Sequence, residues 1–71
     1  MENSFNSGYR QIAFTDTAKK VKREIMVGLA IHTDPGFTLR KKGAISHSPA
    51  ERRFIESIFA QNGVKKDVWG K

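Results

Sequence analysis

Thr33-Asp34-Pro35-Gly36-Phe37-Thr38-Leu39-Arg40 is the stretch on which the fold class turns. Pro35 disfavours helical geometry at the residue before it, and Gly36 permits a tight turn. Phe37 and Leu39 then alternate with Thr38 and Arg40, which predicts a short strand over residues 37–41. Its natural mate is Tyr9–Phe14, where Ile12 and Phe14 stand two apart. Two strands alone are not stable in water. The ribbon therefore needs helices to lie on, and the remaining sequence offers two.

The first predicted helix runs from about Thr17 to Ala30. Thr15, Asp16 and Thr17 supply capping oxygens, and Ala18, Val21, Ile25 and Leu29 share one stripe at 100° per residue. A buried strand over residues 24–31 is the rival reading. Ile25, Val27 and Ile31 are β-branched, and Gly28 weakens a helix by roughly 1 kcal/mol. The stripe reaching back to Ala18 favours the helix. The second predicted helix, Pro49–Gln61, opens on Ser48-Pro49-Ala50-Glu51, a cap, a first-turn proline and a glutamate placed to reach back. Asn62-Gly63 ends it, with Gly63 suited to a left-handed cap and Val64 set to touch Phe59.

These elements predict an α+β fold, mostly helical. Two helices pack with a two-stranded antiparallel ribbon, behind a flexible Asn/Ser/Gly-rich arm over residues 1–8. Residues 9–71 form one small domain with a polar C-terminal tail. The expected core is Ile12, Phe14, Val21, Ile25, Leu29, Phe37, Leu39, Phe54, Ile55, Ile58 and Phe59.

The chain has 71 residues, no cysteine, 13 Lys+Arg against 7 Asp+Glu and a net charge of +6. Without cysteine there is neither a disulfide nor a thiolate zinc site. Its longest apolar run, Ile25–Ile31, is far short of the about 20 residues that cross a bilayer. No signal peptide is read at Met1-Glu2-Asn3-Ser4. A cytoplasmic protein with no membrane partner is expected.

Charge is uneven along the chain. Residues 1–36 hold five basic side chains against four acidic, whereas residues 37–71 hold eight against three. The expected partner-binding surface is therefore Arg40, Lys41, Lys42, Arg52, Arg53, Lys65 and Lys66, with Trp69 as an aromatic anchor. The bland alternatives are a solvated surface for the cations and a core-closing role for Trp69. Phe5 and Tyr9 either dock the terminus or order on a partner.

No enzyme is expected. His32 falls on the stripe of Ile25 and Leu29 and is predicted to pack on the core at a helix end. Neither it nor His47 has the companions of a metal or catalytic site. Ser48 is committed as a cap, so it does not join His47 and Asp34 as a nucleophile. Gly36 and Gly43 make no phosphate loop. No cofactor and no small-molecule substrate are expected. A helix-turn-helix would have to fit its reading helix into residues 65–71, too short for a major groove.

Size, basicity, lack of cysteine and the segments Ala30–Arg40 and Ser48–Arg53 resemble the small regulators by which some bacteriophages redirect host RNA polymerase. That resemblance implies a non-enzymatic protein docked near the amino-terminal end of the polymerase's largest subunit. There it would disfavour sigma-dependent initiation and help the enzyme pass terminators. Direct, weakly sequence-specific binding to DNA or RNA is the alternative.

Overall fold

A computed structural model describes residues 4–70. Four helices follow one another: α1 (Asn6–Arg10), α2 (Asp16–Gly28), α3 (Asp34–Lys41) and α4 (Pro49–Gln61). Among the described residues there is no strand, so the fold is all-α and the α+β expectation is overturned.

The predicted strand over residues 37–41 is α3. Thr33-Asp34-Pro35-Gly36 is a helix start, not a free turn. The Thr33 hydroxyl accepts the Gly36 amide at 3.1 Å, and Pro35 lies in the first turn, where its missing N–H costs nothing. Asp34 opens the helix and Arg40 and Lys41 close it, each matching the helix dipole. Gly43, at φ 85°, then turns the chain so that the Ala44 amide reaches the Leu39 carbonyl. Phe37 is buried, whereas Leu39 is 42% exposed. Helical spacing, not alternation, separates the two.

The other predicted strand, Tyr9–Phe14, is the end of α1 and a turn. The amides of Gln11, Ile12 and Ala13 bond the carbonyls of Gly8, Tyr9 and Arg10. Phe14, expected in the core, is wholly exposed.

α2 and α4 follow the expected pattern. The Thr15 hydroxyl caps α2 at the Ala18 amide, and Ala18, Val21 and Ile25 are buried. That helix displaces the rival strand over residues 24–31. α4 carries the complete capping box: Ser48 Oγ accepts the Glu51 amide and Glu51 Oε1 accepts the Ser48 amide. Its exit also follows the expected geometry, with Gly63 at φ 93° and the Val64 amide on the Phe59 carbonyl.

Of the expected arm, Ser4 and Phe5 lie against the body of the protein, and residues 1–3 lie outside the described residues. Ser4 Oγ and the Phe5 amide both donate to the Lys41 carbonyl, at 2.8 and 2.9 Å. Phe5 is fully buried, with ring centroids of Phe37, Phe59 and Trp69 at 5.8 to 6.0 Å in edge-to-face contact. Such pairs add about 0.5–1.5 kcal/mol each beyond burial. Ala18, Val64 and Val68 join Phe5 as buried residues outside the expected core, while Leu29 and Phe54 are only partly buried. Gly8 lets the C-terminal segment close over α1: its amide donates to the Val68 carbonyl at 3.0 Å, and a Cβ there would stand 2.9 Å from Val68 Cα. No helix of the described residues is long and apolar enough to cross a membrane.

Candidate functional site

Part of the predicted residue set gathers around α4 and the segment that follows it. Val68 is buried and carries Trp69 back toward the core, where the indole meets Phe5 and, at 5.8 Å, His47. The indole Nε1–H donates to Glu56 Oε2 at 2.6 Å, and the Arg52 guanidinium lies 4.1 Å from the ring centroid. Arg52 and Glu56 are one helical turn apart on α4, so the ring spans both. A guanidinium over an indole face is a favourable cation–π arrangement. Trp69 thus packs on the core with the half-buried Arg52 stacked over its ring.

Lys65 and Lys66 flank this cluster. Both are exposed and line a shallow groove with Glu56 and Trp69. Arg40 reaches the start of α4, where it pairs with Glu51 at 3.4 Å. Glu51 accepts the Ser48 amide and faces Arg40 and His47, which holds its carboxyl below the ordinary value of 4.5. Lys41 points elsewhere: its ammonium lies 4.8 Å from the Tyr9 ring centroid. Lys42 and Arg53 are exposed, at the end of α3 and on α4. Arg52, Lys65, Lys66 and Trp69 therefore come together, Arg40 is half neutralised, and Lys41 serves as a cation over an aromatic ring.

The expectation that His32 packs on the core is overturned. His32 is exposed, while His47 is buried beside Phe5 and Trp69. Among the described residues no group of three or more His, Cys, Asp or Glu side chains could hold a metal ion.

A second cationic surface escaped the sequence reading. Lys19, Lys20, Lys22 and Arg23 crowd five positions of α2, and Lys19, Lys20 and Arg23 are exposed. The signal was the run Lys19-Lys20-Val21-Lys22-Arg23 itself, hidden by averaging it with the acids of residues 1–36. Comparison of the chain with protein-family models, curated proteins and solved structures finds no match.

Proposed function

We propose that the chain is a small non-enzymatic docking protein whose basic C-terminal half engages an acidic protein surface. The resemblance drawn from Ala30–Arg40 and Ser48–Arg53 makes bacterial RNA polymerase the partner of choice. The protein would then work in the host cytoplasm, disfavouring sigma-dependent initiation and favouring passage through terminators.

The observation that carries the protein-surface reading is the state of Trp69. Its N–H is engaged by Glu56, one face lies under Arg52, and its ring meets Phe5 in a T-shaped contact. An indole so held has its N–H and one face already occupied, whereas a single-strand reader offers a free face to a base. A pre-ordered Trp–Arg pair rimmed by lysines has instead the chemistry of a protein-interface anchor.

Purified polymerase core enzyme, free of nucleic acid, is titrated onto the immobilised full chain. Binding is expected, with a loss of about tenfold or more for Lys65→Glu combined with Lys66→Glu. Absence of binding to polymerase, together with nuclease-sensitive retention and a log–log salt slope near −0.9 per phosphate, overturns the reading in favour of a nucleic-acid binder.

A further inference from the structure

α2 ends on a common left-handed exit turn, but with alanine where glycine is usual. Ala30 takes a left-handed backbone at φ 56°, and the chain folds back so that the Ile31 amide reaches the Met26 carbonyl at 2.8 Å. The turn opens a groove of about 610 Å³ beside the helix. Its floor is apolar, made by Met26, Val27, Ala30 and Ile31, and Val27 is 77% exposed. Lys19 and Arg23 stand on its rim, two turns and one turn before Val27.

The carboxylates nearby do not cancel this rim. Asp34 is held by Lys22 at 3.0 Å. Glu24 turns toward α4, where it accepts the Asn62 side-chain amide at 3.4 Å. Lys19 and Arg23 are left exposed along an apolar floor, with Lys20 exposed beside them on α2.

We infer that this groove is a docking site for an acidic amphipathic helical segment of a partner protein. Its apolar side chains would cover Met26 and Val27, and its carboxylates would meet Lys19 and Arg23. Charge complementarity selects the acidic occupant. The apolar floor selects a peptide over a phosphate backbone, which has no apolar side chains to place on Val27. α2 has 13 residues, about 20 Å, so a partner helix of three to four turns matches it in length. None of the residues from Arg40 to Trp69 lines this groove, so the inference stands or falls apart from the function proposed above.

The test is a fluorescence-anisotropy titration of the full chain. The probe is a labelled helical peptide of about 14 residues, with glutamates on one face and leucines at i, i+3, i+4 and i+7. A matched peptide with serine for leucine and a single-stranded oligothymidylate are the competitors. The leucine peptide is expected to bind most tightly. Val27→Glu and Arg23→Glu, both at exposed positions, are each expected to weaken it about tenfold or more. Lys65→Glu with Lys66→Glu should leave it within about twofold. Amide shifts on binding should gather over Lys19–His32. Equal binding of the serine peptide or the oligothymidylate, undiminished binding by Val27→Glu, or no binding of the leucine peptide each overturns the inference.

Discussion

Phe14, Ala30 and Asp67 adopt left-handed backbone at φ 66°, 56° and 60°. For a residue with a Cβ this costs roughly 1–2 kcal/mol relative to glycine. Ala30 sits where a helix exit usually carries glycine, and its amide already bonds the Val27 carbonyl. Ala30→Gly should therefore stabilise the fold, by about 0.5–1 kcal/mol after the added freedom of the unfolded chain is counted. Urea denaturation reads this directly, and a lower midpoint would refute the assignment of strain. Nothing in the structure explains a phenylalanine at position 14. Phe5 is the opposite case, a ring with no solvent exposure at the centre of four others. Phe5→Ala should cost about 3–5 kcal/mol and abolish the cooperative melt. Neither residue's place was legible in the sequence. Phe5 stands alone among Asn, Ser and Gly, without periodic companions, while the Ile12–Phe14 spacing mimics a strand.

At the scale of elements, α2 packs on α4, and the contact narrows to Gly28 against Phe54. A Cβ at position 28 would overlap the Phe54 ring. Gly28→Ala should destabilise by about 1–3 kcal/mol, because the crowding exceeds the gain in helix propensity. In a Phe54→Ala background the same change should become neutral or stabilising. A double-mutant cycle measures that coupling, and additive effects would place the two residues apart. The start of α4 has a pH signature. Hydrogen bonding from the Ser48 amide, and then the charge of Arg40, lower the Glu51 pKa in the folded protein. Its contribution is fully present above the ordinary glutamate value of 4.5 and is lost as pH falls through the lower, folded value. Glu51→Gln should flatten that part of the stability–pH profile. Both long helices were readable because caps and apolar stripe agreed in each. α3 was not, because Thr-Asp-Pro-Gly serves equally as a turn and as a helix start, and Phe37 and Leu39 sit two apart in either structure.

Taken whole, the molecule wears its cations on several elements. Arg10, Lys19, Lys20, Arg23, Lys42, Arg53, Lys65 and Lys66 are all exposed. The gathering of Arg52, Lys65, Lys66 and Trp69 was foreseeable from the basic C-terminal half. The α2 groove was not, since its floor depends on a turn at Ala30 that only tertiary structure reveals. The ring of Phe5 lies 6.0 Å from that of Trp69, near the other end of the described chain. The two ends of the described segment therefore lie side by side, and a short linker spliced from Gly70 to Ser4 would close that segment into a circle. Reopening such a circle within the exposed Ala44-Ile45-Ser46 loop would give a permuted chain with the same packing. Its circular dichroism should match the parent's, and a permutant that failed to fold would mean that the order of synthesis, not the contacts alone, selects this arrangement.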